Sequence, residues 1–532
     1  MPRALGGACI LLVLLAVAFG ACLRADAAVA PSDDDENLIE ALDGAEEGLR
    51  DEFVVPDGEK GIDWKIFGGA QPPKRIVLSS SVEEIDFDDE GFGELEEWIV
   101  DEENPHFQAI DGVLFSKDGT RLISCPRKTS VASCVAPNGV REIAAGAFRS
   151  CENLKAFAAP ASVATIGDEA FCGCASLKTV VLADGVREIG ERAFADCVSL
   201  ETISIPSSVS SVGYGAFSRC KSLKSIEVGA ENRAYKSIDG VLFNKDGSEL
   251  LAYPLGLRGG ECVAPEGTKR ISGFIGDYMG DYVETIALPE SVEDVCGVQP
   301  LKEWRVAEGN PHFQAIDGVL FSKDGTKLIC FPSHKPDVEY AVPDGTQEIA
   351  DGAFFGCDLL ESVALPSSVV RIGVDAFSFC GALKTAELSE GLREIGANAF
   401  RYCRSLESIC IPSGVVNFGV GKSPTLSIYP SGVFAECEAL QAVEIGDGIR
   451  EISFGAFYDC KALESISIPS SVVAIGDSAF EHCQSLTSVE IPPSVSAISQ
   501  NAFPERTEIR AESGSYAEKW AQERKRASNA VK

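Results

Sequence analysis

Apolar and polar positions in this chain alternate in short bursts, and the bursts return at a fixed interval. In Leu200-Glu-Thr-Ile203-Ser-Ile205-Pro206 apolar side chains alternate with polar ones, the period-2 pattern of a strand with one buried face. Pro206 ends that strand, because proline has no N–H to give to a continuing ladder. Val209 and Val212 are expected to turn back inward, and Gly213 permits a tight bend. Ala216-Phe217 then set a small and a large apolar group in a short helical or irregular turn, and Cys220 closes the unit LETISIPSSVSSVGYGAFSRC.

The closing cysteine recurs at 151, 174, 197 and 220, at 357, 380 and 403, and at 437, 460 and 483, always 23 residues apart within a group. The step from Cys403 to Cys437 is longer by 11 residues. A fixed period of this length marks a solenoid, in which each unit buries its apolar face only against its neighbours. Stacking predicts internal ladders. One runs through Phe148, Phe171, Phe194 and Phe217, and again from Phe354 through Phe377 and Phe400 to Phe503; another runs through Ile143, Ile166, Ile189 and Val212.

The pattern L-x-x-I-x-I-P-x-S-V-x-x-I-G-x-x-A-F-x-x-C resembles the BspA-like branch of leucine-rich repeat surface proteins, over roughly residues 75 to 510. The resemblance implies an α/β repeat solenoid: a right-handed leucine-rich repeat with a parallel sheet on one face and short helical or irregular turns on the other. Three segments fit that family's β-hairpin insertion, at about 104–126, 232–254 and 310–332. NPHFQAIDGVLFSKDGT occurs identically at 104–120 and 310–326, which reads as an internal duplication with an offset of 206 residues. The Lys-Asp-Gly tip supplies hairpin turn chemistry. GSYAEKWAQERKR, from Gly514, resembles the short helix that closes such solenoids and would cover an otherwise open strand edge. The expected organisation is a signal peptide over 1–27, an acidic N-terminal segment or irregular cap over 28–74, the solenoid over 75–505, and a cap helix with a basic tail over 506–532.

The leader expectation rests on Arg3, the apolar run Ile10 to Phe19 and the Ala25-Asp26-Ala27 cleavage pattern. A second reading is lipidation of Cys22, since Phe19-Gly-Ala-Cys22 loosely resembles a bacterial lipobox with Phe in place of the usual Leu. That apolar run is too short for a membrane span, and no later segment is expected to cross a bilayer. The localisation expected is secreted or cell-surface.

Composition narrows function by exclusion. The formal charge of −35 in 532 residues argues against nucleic acid and against anionic lipid, both of which ask for a basic footprint. Most of the 19 cysteines occupy one repeat position, so they read as buried free thiols in a core ladder, with parallel side chains that geometry disfavours for bonding. Asp86, Asp88, Glu90, Gly91 and Glu97 match calcium-loop offsets, but Leu95 to Val100 is itself a repeat strand, so a degenerate coil turn is preferred. The four histidines are dispersed, and no nucleophile–base order, phosphate loop or zinc motif appears. No cofactor, metal or catalytic residue is expected.

What remains is the outward strand face. Alternation places Ser204 and Ser467 there among small hydroxyls, with an acidic column at Glu227, Glu387, Glu444 and Glu490. The inserted residues from Val420 to Pro430, including Tyr429, break the array and form a second candidate element. The class this supports is an exported adhesin-like protein recognising a protein or glycan of a host or neighbouring cell. A structural or self-assembling envelope spacer is the alternative, and a secreted hydrolase a weaker one.

Overall fold

The computed structural model describes residues 51–63, 73–87, 92–257, 261–272, 284–296, 301–421 and 432–530. They fall into two compact units, the first up to residue 257 with 270–272 and 295–296, the second comprising 261–269, 284–294 and everything from 301 onward. Each is a stretch of parallel β-solenoid.

A regular coil bonds to its neighbours along three edges. The first is the alternating strand: in the first unit Ala156–Ala159 pairs in parallel with Thr179–Leu182, and Thr202–Ile205 with Ser225–Val228. The second edge is a two-residue strand that hydrophobic alternation does not announce, with Glu142–Ile143, Thr165–Ile166, Glu188–Ile189 and Ser211–Val212 stacked in parallel. The third lies in the turn, where the Phe148 N–H donates to the Ala170 carbonyl at 2.7 Å and Phe171 to Ala193 at 2.7 Å. A helix there would close its hydrogen bonds within the coil and leave the neighbouring coil without partners. Instead the turn carries two left-handed residues per coil, such as Glu169 at φ 54° with Gly173 at 76°, and Arg192 at 52° with Asp196 at 59°. The turns are therefore irregular rather than helical, and the α-helix of the described residues is Tyr516–Ala530.

The phenylalanine ladder forms as spacing predicts. Ring centroids are 4.8 Å apart for Phe148–Phe171 and 5.1 Å for Phe171–Phe194, and 5.0 Å for Phe377–Phe400 in the second unit, with planes within 9° of parallel in all three pairs. Stacking of this kind contributes roughly 0.5–1.5 kcal/mol per pair beyond area burial. The repeat cysteine has a task that its spacing did not reveal. Its Sγ–H donates to the carbonyl of the ladder phenylalanine one coil back: Cys174 to Phe148 at 2.9 Å, Cys380 to Phe354 at 3.0 Å, Cys483 to Phe457 at 3.1 Å. The Phe148 carbonyl already accepts from the Cys151 N–H at 3.1 Å, so the thiol takes its second lone pair.

Each predicted hairpin is a three-stranded meander with two turns. Phe107–Ile110 pairs antiparallel with Val113–Ser116, which pairs antiparallel with Arg121–Ser124. Arg121–Ser124 then pairs in parallel with Glu142–Ile143, so the insertion begins the second sheet rather than hanging from it. The Lys117-Asp118-Gly119 turn was legible. The other, Asp111-Gly112, has φ 50° and 74°, the doubly positive geometry of a type I′ hairpin for which Asp-Gly suits. The same meander, with the same register shift after Leu114, Leu242 or Leu320, recurs over Tyr235–Ala252 and Phe313–Cys330.

A buried asparagine ties every meander to the coil before it. Asn310 Nδ2 donates to the carbonyls of Pro289 and Val292 at 2.8 and 3.0 Å, while its Oδ1 accepts the N–H groups of His312 and Phe313 at 2.8 Å each. Asn104 and Asn232 repeat the four bonds. At the far end of the second unit Ala517 is fully buried, Trp520 packs edge-on against Phe503 at 6.2 Å, and the Arg524 Nη2 donates to the Phe503 carbonyl at 2.7 Å. The helix thus covers the last ring of the ladder.

Asn310→Ala strands two buried carbonyls and two N–H groups, so we expect a loss of about 2–4 kcal/mol in urea unfolding of the purified protein. His312→Ala, whose side chain is outside the network, should change stability by less than about 0.5 kcal/mol.

Candidate functional site

The outward side chains of the alternating strand form columns, because parallel in-register pairing sets equivalent residues side by side. In the second unit Cys410 lies opposite Glu444, Glu444 opposite Ser467, Ser467 opposite Glu490, and Glu490 opposite Arg510. Cys410, Glu444, Ser467 and Glu490 are all exposed. Glu387, also exposed, ends the preceding three-strand ladder, where it pairs with Ala364. The adjacent column is smaller still: Ser408, Ala442 and Ser465.

The structure therefore brings Glu444, Ser467 and Glu490 into one column and sets Glu387 in a neighbouring sheet. It places Ser204 and Glu227 together, in register, in the first unit. The four glutamates expected as one acidic column are thus divided between two units, because the meanders and the boundary between units interrupt the array. Cys22, the signal segment and Tyr429 lie outside the described residues. Of the calcium-like spacing, Glu97 belongs to the strand Glu97–Val100, and Asp88, Glu90 and Gly91 lie outside the described residues. Among the described residues no three His, Cys, Asp or Glu side chains converge on a metal-sized site.

Electrostatics separates the columns from their borders. Beside the strands, opposite charges pair from coil to coil: Lys224 with Glu201 at 2.8 Å, Lys384 with Glu361 at 2.7 Å, Lys302 with Glu284 at 2.6 Å. On the second edge Arg371 bridges Glu348 at 2.8 Å, Glu394 at 2.9 Å and Asp351 at 3.0 Å. Most of these are opposite charges 23 residues apart, a signal that was present in the chain. The face carboxylates differ: among the described residues Glu387, Glu444 and Glu490 enter no ion pair. Within their column Glu444 and Glu490 are separated by the strand of Ser467, so they sit roughly 9.6 Å apart, about a Debye length at physiological salt. Arg510 was missed because the last strand, Glu508–Ala511, falls out of the 23-residue phase; its guanidinium pairs with Glu508 at 3.0 Å.

The thiols confirm a packing role. Sixteen of the described cysteines form no disulfide, and burial pushes the Cys220 and Cys483 thiols up to about 12. Such groups hold too little thiolate to act as nucleophiles. Cys410 is the exposed member of the set, and its thiol is raised by partial desolvation and then by the hydrogen bond and charge of Glu444.

A model of the BspA type leucine-rich repeat region matches in 6 copies, over residues 124–246, 330–421 and 424–513. That is more than half of the chain, and the protein belongs to this family of leucine-rich repeat proteins. Among solved structures, the chain is similar to the pneumococcal vaccine antigen PcpA, at 21% identity over 79% of this chain and 96% of that one, with a TM-score of 0.40. It is also similar to a leucine-rich cell surface protein of Faecalibacterium prausnitzii, at 22% identity over 89% and 90% of the two chains, TM-score 0.26. A leucine-rich repeat protein of Eubacterium ventriosum aligns at 22% identity over 70% and 92%, TM-score 0.35. No curated protein matches the sequence. Among the described residues no helix is long and apolar enough to cross a membrane.

Iodoacetamide labelling of the native protein at pH 8, followed by peptide mass mapping, should modify Cys410 first and leave Cys174, Cys380 and Cys483 unmodified until denaturant is added. Removing the neighbouring charge in Glu444→Gln lowers the thiol pKa, so labelling of Cys410 should accelerate by about 2- to 5-fold, since one pKa unit changes the thiolate fraction tenfold.

Proposed function

We propose that this chain is an exported binding protein of the BspA type whose strand face docks a protein or glycan ligand, as a surface or secreted adhesin does. The observation that carries the reading is the contrast just described. Charges bordering the strands neutralise one another between coils, whereas the carboxylates on the flat lattice of serine and alanine do not. Small side chains let a ligand approach the sheet closely, and unpaired carboxylates at intervals favour a partner with basic or hydroxyl-rich groups. Export is supported by the charged and apolar pattern of the first 27 residues, and display by the family. No catalytic role is proposed for any residue.

Binding of residues 28–532 to immobilised matrix proteins, mucins and glycans is expected to be saturable and to weaken as salt rises. Reversing three charges together, Glu387→Lys, Glu444→Lys and Glu490→Lys, should reduce affinity at least tenfold while circular dichroism stays unchanged. Saturable binding that ignores all three reversals would move the docking face elsewhere.

A further inference from the structure

The closing cysteine of a coil reaches backward. Among the described residues, eight of them donate Sγ–H to the carbonyl of a ladder phenylalanine one coil back, at 2.9–3.2 Å. In the first unit one such thiol meets a different residue. Cys125 stands in a ladder slot: its N–H donates to Ala147 at 2.6 Å, as Phe148 does to Ala170 at 2.7 Å. With the 206-residue offset its counterpart in the second unit is Phe331, whose ring stacks on Phe354 at 4.9 Å. The thiol that reaches back to Cys125 is Cys151. Two cysteines from different slots of neighbouring coils are thereby brought together.

This contact differs from the other eight. Cys151 Sγ lies 3.5 Å from the Cys125 carbonyl and 3.6 Å from that of Pro126, so neither holds it at the usual distance. It also hydrogen-bonds the Cys125 side chain, and that bond, followed by burial, raises the Cys151 thiol well above its ordinary range. Cys174 touches Cys151 from the other side, but its own proton is given to the Phe148 carbonyl at 2.9 Å. Those two share one repeat slot, so their side chains run parallel, an arrangement disulfide geometry disfavours. Cys125 and Cys151 come from different slots and escape that restriction. Cys151 is fully buried, whereas Cys125, 4% exposed, lines a surface cleft beside Pro126, Arg127 and Arg149.

We propose that Cys125 and Cys151 form a disulfide in the exported protein, stapling the first meander to the coil that follows it. Cys125 directly follows the meander strand Arg121–Ser124, and the bond takes the place of the Phe331–Phe354 stack that begins the ladder in the second unit. The oxidant is a low-molecular-weight disulfide that enters by the cleft. Cys125, as its thiolate, attacks one sulfur of that disulfide and expels the other as a thiolate, leaving a mixed disulfide. Cys151 then loses its proton, attacks the Cys125 sulfur and expels the second thiolate. Two protein thiols are oxidised, one external disulfide is reduced to two thiols, and the released protons pass to the expelled thiolates. The two residues are 26 apart, and closing that loop removes chain entropy from the unfolded state. The proposal rests on the export reading above for its oxidising compartment.

The test incubates the full chain in mixtures of reduced and oxidised glutathione, blocks the remaining thiols with N-ethylmaleimide in denaturant, and maps the tryptic peptides. The expected product links LISCPR (122–127) to SCENLK (150–155) and is absent from Cys125→Ser and from Cys151→Ser. It should form at glutathione ratios that leave Cys357 free to the maleimide, since the ladder slot one coil before Cys357 holds Phe331. Oxidation should raise the thermal unfolding midpoint of the wild-type chain by at least about 2 °C and move that of neither serine variant. Cys125 and Cys151 left free in the most oxidising mixture, or a Cys151–Cys174 link in place of the expected one, overturns the disulfide. A linked chain with an unchanged midpoint overturns the staple. Because the oxidant is supplied, these outcomes are read whether or not the strand face binds a ligand and whether or not the chain is exported.

Discussion

The carbonyl of the ladder phenylalanine is the point at which one coil is tied to the next. It receives the N–H of its own coil's cysteine and the thiol of the following coil, while the phenyl ring stacks on the ring above. The N–H satisfies that buried carbonyl once, and the thiol adds a second bond, of the order of 0.5–1.5 kcal/mol for a typical intramolecular hydrogen bond, that reaches from one coil to the next. A cysteine is small enough for a crowded core and still has a proton to give, which valine or alanine lacks. The left-handed residues follow from the same demand, because they turn the peptide planes toward neighbouring coils. Their strain is tolerated at Arg192, Phe379 and Tyr402, where the backbone leaves no alternative.

That constraint explains which parts of the fold were legible. Strands such as Thr202–Ile205 announce themselves because alternation over four residues is a sufficient signal. Glu188–Ile189 does not, since two residues carry no period, and only stacking makes them a strand. The turns were left between helix and irregular structure because Ala216-Phe217 fits both; what decides is φ, and bulky residues at positive φ give no warning in a sequence. Asn104 and Asn310 stood in the duplicated segment, yet their four bonds depend on carbonyls of the preceding coil that no linear reading locates. The outward face was readable residue by residue, but its continuity was not. Glu227 fits the same repeat position as Glu387 while lying in a different unit.

The duplication separates what the fold needs from what it permits. Between the two copies the asparagine, the Asp-Gly turn and the register shift are retained, and these are the features that tie the meander to its coil. Positions 125 and 134 against 331 and 340 exchange thiols for rings. A core position that changes volume so much needs compensation, and Phe157 in place of Val363 provides some of it.

A solenoid also limits how its surface can carry charge. Identical coils about 4.8 Å apart would set like charges side by side, a repulsion near 1 kcal/mol for each neighbouring pair even in bulk water. Any charged column must therefore alternate in sign or be diluted. This chain does both: Lys384 answers Glu361 on the border, and Ser467 separates Glu444 from Glu490 on the face. Alternation cancels the field and serves stacking. Dilution leaves Glu444 and Glu490 without an ion pair at a spacing the sheet can bear.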